Sequence, residues 1–245
     1  MEVHKHPGHE GHKKNWRSYI LEFLMLFLAV FLGFIAENIR EHIVENKRGE
    51  EYIHSFVEDL KKDTAQYTDL ITELSFQDSI TDNIYNCYDS ITHSVTSTEC
   101  LAVIINNLSG FPDFIYTDRT IQQLKNAGGL RLIRDKNVAD SIIMYDALVR
   151  REFIHQDALE GLQQKSIDAM KLMVDFPSFS KLYRGRLGPA PNGEKNIHLL
   201  QNNKEAIDNF FNTLQVFKSN MSSQLFWMQI LKKTATRLIQ YLEDK

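Results

Sequence analysis

Tyr19 to Ala36 reads YILEFLMLFLAVFLGFIA, eighteen residues in which Glu22 is the only charge. At about 1.5 Å per residue such a helix is roughly 27 Å long, close to the hydrocarbon thickness of a bilayer. ENIREHIVENKR (Glu37 to Arg48) follows with no proline and no turn signal, so the helix is expected to run on into polar surroundings. The stretch therefore predicts an all-α protein. One N-terminal transmembrane helix, over 16–36, continues into a long amphipathic helix packed in an up-and-down helical bundle.

Two rival readings of the apolar run stay open on sequence alone. A buried core helix has this composition, although Phe23 to Ala36 is long for one at fourteen uncharged residues. A cleaved signal peptide shares the basic start (Lys13, Lys14, Arg17), but the candidate cleavage site Phe34-Ile35-Ala36 places a bulky Phe where a small residue is needed. An uncleaved anchor is the expectation. Trp16 and Tyr19 stand where interfacial aromatics belong, and Glu22 lies one turn inside, within reach of the headgroups. Lys5, Lys13, Lys14 and Arg17 precede the span; Arg40, Lys47 and Arg48 follow it. That excess is small. It predicts a cytoplasmic N-terminus and an exported C-terminal domain.

The net charge of −4 and the 43% hydrophobic content suit one domain of about two hundred residues beyond the span. No basic face concentrates the Lys and Arg, so nucleic acid is not an expected partner. The five prolines fall at 7, 112, 177, 189 and 191, leaving three long uninterrupted blocks. In the first, Ile53, Val57, Leu60, Thr64, Tyr67, Ile71 and Leu74 recur with a seven-residue period. Carried back, the phase passes through Ile43, Ile39, Ala36 and Leu32, with Asn46 and Glu50 interrupting. Packing of this helix on its own chain is expected, with a self-associating coiled coil as the alternative. The resulting organisation is a His/Lys-rich tail over 1–15, the span over 16–36 and a bundle domain over 37–245. Within the bundle a long helix covers about 37–91 and short helices about 99–127. A second long helix covers about 136–175, a loop 177–203 and a C-terminal helix about 204–243. Thr117 or Asp118 is the expected cap of the RTIQQLKNA helix, Gly128 its left-handed end, and Asp135 the cap of the second long helix.

Chemistry is sparse. His4, His6, His9 and His12 fall within nine residues. Imidazoles suit zinc, nickel or copper, so these four are the candidate metal ligands, but the tail supplies no Cys and no supporting framework. A solvated tail is the expectation. No HExxH, GxSxG, GxxxxGK[ST] or GxGxxG occurs. The acid pairs Glu50-Glu51 and Glu58-Asp59 lie among Lys and Arg and read as solvated surface. Arg119, Arg131 and Arg134 bracket Gly128 and Gly129 and make a candidate contact for an anion or a partner carboxylate, against the plainer reading of a tight helix–helix corner. Cys87 and Cys100 lack metal-ligand spacing; exported they could form a single disulfide, in the cytoplasm they would be thiols. No catalytic residue and no cofactor site is expected. The functional expectation is a membrane-anchored, non-enzymatic protein-interaction or scaffold module whose partners are membrane lipid and a protein or a second copy. The alternative is a sensory input domain that signals through a partner subunit.

KKNWRSYILEFLMLFLAVFLGFIAENIREHIVENKR (Lys13 to Arg48) resembles the opening of a family of uncharacterised single-span membrane proteins found in Bacteroidota. RTIQQLKNAGGLRLI (Arg119 to Ile133) and KTATRLIQYLEDK (Lys233 to Lys245) are similar to that family too. The resemblance implies a bacterial, membrane-anchored helical protein. It supplies no activity, ligand or catalytic residue.

Overall fold

In the computed structural model, which describes residues 16–93, 98–108, 113–126, 128–177, 197–200 and 204–244, one helix joins the apolar run to the heptad stripe. This helix, α1 (Trp16–Tyr85), is 70 residues long, about 105 Å at 1.5 Å per residue. Its N-terminal part is long and apolar enough to cross a membrane, and none of that window is buried by the other described residues. A core helix is covered by its own domain, and among the described residues this window is not. Ile39 and Ile43 continue the phase of the stripe but are 55% and 62% exposed; Val57, Leu60, Tyr67 and Leu74 are buried. The stripe therefore packs on its own chain, and the bundle begins at Gly49, the first buried residue of α1.

The long helix stops earlier than its periodicity suggests. Asn86 and Cys87 form a turn in which the Cys87 N–H donates to the Ile84 carbonyl at 3.0 Å, and a short helix, α2 (Tyr88–His93), follows. Cys87 is disulfide-bonded to Cys100 on α3 (Thr98–Asn107). That cross-link draws the chain back on itself where a continued α1 would carry it outward.

After α3 the chain returns along α1 toward Gly49 in pieces: an irregular strap over 113–118, α4 (Arg119–Asn126) and a 3-10 turn (Gly129–Leu132). α5 (Lys136–Met173) then rises and α6 (Lys204–Glu243) descends. Asp135 caps α5, its side chain accepting from the Asn137 N–H at 2.9 Å. α5 gives way at Val174 to extended backbone that bridges to Leu199, with the Leu200 N–H donating to the Met173 carbonyl at 2.9 Å. The loop expected over 177–203 lies mostly outside the described residues.

The order is up, down, up, down, with the second pass broken. α6 packs along both α1 and α5. α1 and α5 meet through large side chains: Phe56 and Tyr145 touch edge to face at 6.2 Å, and Phe114 of the strap stacks on Tyr67 at 4.6 Å and on Phe153 at 6.2 Å. Aromatic bulk thus fills the gap that an intact second helix would occupy. Each fully buried ring of this size contributes roughly 1.5–3 kcal/mol.

The GGLRLIRDK corner is a close helix–turn contact. Gly128 adopts φ +66°, the left-handed geometry that glycine takes without strain. Gly49 lies flat against the turn: a Cβ there would sit 2.4 Å from the Leu132 carbonyl oxygen. The corner grips α1 thirteen residues beyond Ala36, about 20 Å along the helix.

Candidate functional site

Asp59, Asp63 and Tyr67 recur at four-residue steps on one face of α1, and all three are buried. Opposite them stand the strap, the start of α4, and Tyr145 and Asp146 of α5. Carboxylates in such a place need partners, and the strap supplies them. Asp59 accepts the Thr120 backbone N–H at 3.1 Å, the Thr120 hydroxyl, and Arg119 Nη2 at 3.0 Å. Asp63 accepts the Thr117 N–H at 3.0 Å and the Tyr145 hydroxyl at 3.0 Å. The Tyr145 and Tyr67 hydroxyls lie 3.2 Å apart. Gln66 adds a two-way pairing with the Ile115 backbone, donating to its carbonyl at 2.9 Å and accepting from its N–H at 3.3 Å.

Two expectations are corrected here. Asp59 is buried surface of the domain interior, whereas its neighbour Glu58 reaches Lys61 at the surface. The α4 N-terminus is capped from α1 by Asp59, since the Thr120 N–H turns there and not to the Thr117 or Asp118 side chain. Acids at four-residue spacing beside the heptad core were the available signal. Whether such an acid turns inward depends on donors about sixty residues away.

Burial pushes Asp63 above the ordinary carboxylate range, against the hydrogen bonds from Thr117 and Tyr145. Burial likewise raises Tyr67, Tyr116 and Tyr145, so all three stay protonated donors at neutral pH. Asp146 differs. Burial would raise it, but hydrogen bonds from Arg150 (3.0 Å) and Lys125 (2.8 Å) outweigh that and hold it low. On the far side of the core, burial raises Glu152 to about 7, beside Gln224 and Arg151. Among the described residues, Tyr116 OH, Asp146 Oδ1, Glu152 Oε1 and Gln224 Oε1 find no hydrogen-bond partner.

Chemically the cluster is a staple. Its tyrosines are shifted away from serving as bases, and Asp59 and Asp63 already accept several donors. A shallow groove of about 270 Å³ reaches Tyr145 from outside, lined also by Ser141, Met144, Thr234, Arg237, Leu238 and Tyr241. A second, of about 420 Å³, runs between α1 and α6 past Ile71, Gln229, Lys232, Lys233, Thr236 and Arg237.

The arginines named from the sequence do not converge on one ligand. Arg119 pairs with Asp59 and Arg131 approaches Glu45 at 3.9 Å. Those two acids are fourteen positions apart on α1, about 21 Å of helix rise. Arg134 is exposed. Trp16 and Tyr19, at the start of α1, are 80% and 56% exposed. His4, His6, His9 and His12 lie outside the described residues. Among the described residues, no group of three or more His, Cys, Asp or Glu side chains could hold a metal ion. Set against protein-family models, curated proteins and solved structures, the chain matches none of them.

Proposed function

We propose that this protein is a single-pass membrane protein whose helical bundle serves as a non-enzymatic protein-interaction module on the exported side of a bacterial inner membrane. It would belong with the single-span proteins of Bacteroidota that its opening resembles. The observation that carries this reading is α1: an apolar run that no other described residue covers passes unbroken into the bundle core. With the hydrocarbon edge near Ala36, the first buried residue, Gly49, stands about 20 Å above it. Ile39 and Ile43 then fall in the headgroup layer, where their exposure is tolerable. The Cys87–Cys100 disulfide supports the exported side, because such bonds persist in oxidising compartments. The buried α1 carboxylates Asp59 and Asp63 support a non-enzymatic role, since they are engaged in holding the strap and α4.

Three measurements on the full chain test this. Alkaline carbonate should leave it in the membrane. A reporter fused after Lys245 should be active only if exported, and a cytoplasm-only signal would refute the orientation. Proteins captured by cross-linking in native membranes should depend on the bundle surface.

A sensory role is the second reading, favoured by the clamp at Gly49. A rotation or tilt of the span reaches the core without a flexible joint. Thermal stabilisation of the protein by one class of small molecule would select this reading over the scaffold.

A further inference from the structure

Two outward faces of the bundle carry complementary features at matching heights. Asp82 meets Lys218, Asp78 meets Ser222 and Lys61 meets Glu243 across the α1–α6 contact, so level residues have numbers adding to between 300 and 304. On the outward face of α1 stand Ala65, Asp69, Thr72 and Phe76; on that of α6 stand Phe226, Lys233 and Arg237, with Ile230 half-buried beside them. By that rule Phe76 is level with Phe226, Thr72 with Ile230, Asp69 with Lys233, and Ala65 with Arg237. Phe76 is 58% exposed and Phe226 57% exposed, large apolar rings that the other described residues leave uncovered. Asp69, Lys233 and Arg237 form no ion pair among the described residues. Lys62, a cation on the α1 side, falls lower, at the level of Gln240.

We infer that the α1–α6 face binds a second copy of this chain about a two-fold axis along the membrane normal, Phe76 and Asp69 of each copy meeting Phe226 and Lys233–Arg237 of the other. This rests on the anchored interaction-module reading and names its partner. Anchoring matters physically, because two spans in one bilayer hold both copies at the same height and in the same sense. Residues level within one copy are then level between copies. The two-fold axis sets α1 of one copy against α6 of the other twice over, making a self-complementary interface. The charges agree: an acid on α1 meets cations on α6 in both halves. The face spans roughly 16 Å by 20 Å, so both copies together bury about 650 Å², the size of a weak contact and not of a free, stable interface. Confinement in the bilayer raises the effective concentration and favours such a small contact.

The test uses the full chain in native membranes. Differently tagged Phe76→Cys and Phe226→Cys chains are co-expressed and mildly oxidised. A reducible heterodimer is expected from the mixture, and little from either variant alone, because like positions lie diagonally across the axis. Ile143→Cys with Ile154→Cys, on the outer face of α5, should give none. Lys233→Glu should lower the cross-linked fraction about tenfold through like-charge contact with Asp69 of the other copy. Adding Asp69→Lys to the same chain should restore it. Absence of the heterodimer, equal cross-linking at the α5 face, or failure of the charge swap to restore it overturns the proposal. Carbonate extraction of the same membranes reads the anchoring separately: an embedded monomer sinks only the self-association, and a dimer that washes off sinks the anchored reading.

Discussion

Asp59 on α1 and Thr120 at the start of α4 are 61 residues apart in sequence, yet the Asp59 carboxylate accepts the Thr120 backbone N–H at 3.1 Å. A helix terminus is thus capped from a different helix. Together with Asp63, which accepts the Thr117 N–H, this bond ties the broken second pass of the bundle to the helix that carries the apolar run.

Asp59→Ala leaves a buried N–H and hydroxyl without an acceptor. It should cost about 2–4 kcal/mol. Asp59→Asn keeps an acceptor and should cost less. Denaturant titration of the detergent-solubilised protein measures both, and equal losses would mean that charge, not acceptance, is what matters.

Gly49→Ala drives a methyl group into the Leu132 carbonyl oxygen. Destabilisation of about 1–3 kcal/mol is expected, with faster hydrogen exchange over Gly129–Ile133. Gly161→Ala, at a helical site with open space around it, should be neutral or stabilising by up to about 1 kcal/mol. A harmless Gly49→Ala would mean that the corner does not grip α1.

Glu152 gives a pH dependence. Burial raises its carboxyl to about 7 in the folded protein, against 4.5 ordinarily, with Gln224 and Arg151 beside it. The folded state holds this proton more tightly than the unfolded one. Its stabilising contribution is therefore complete below about pH 4.5 and is lost as pH rises to about 7. Glu152→Gln removes the titration, so its stability relative to the natural chain should improve by about 2–3 kcal/mol between pH 5 and pH 8. A constant difference across that range would show that Glu152 is ionised throughout.

Reduction of Cys87–Cys100 opens a loop of 13 residues. About 3 kcal/mol of stability should go with it. In intact cells neither cysteine should react with a maleimide until a reductant is added. Immediate labelling of both would place the bundle in a reducing compartment.

The amino-acid sequence by itself determined the all-α class and the placing of long helices in the blocks between the prolines. Apolar residues recur every three or four positions through all three long blocks, and the prolines, Gly128 and Asp135 mark where helices end or begin. These signals act between near neighbours, so they can be read locally. The apolar run of α1 belongs here too, since length and composition alone make it long enough to cross a bilayer. Only the tertiary structure decided which polar residues turn inward. Asp59 and Glu58 are adjacent and chemically alike, yet one is buried under Thr120 and the other faces Lys61 at the surface. A buried carboxylate is tolerated only where donors converge on it, and those donors arrive from a strap that local rules describe as a mere turn. The early end of α1 at Tyr85, the pairing of Cys87 with Cys100, and the need for glycine at position 49 have the same origin. Each depends on what another part of the chain brings within a few ångströms.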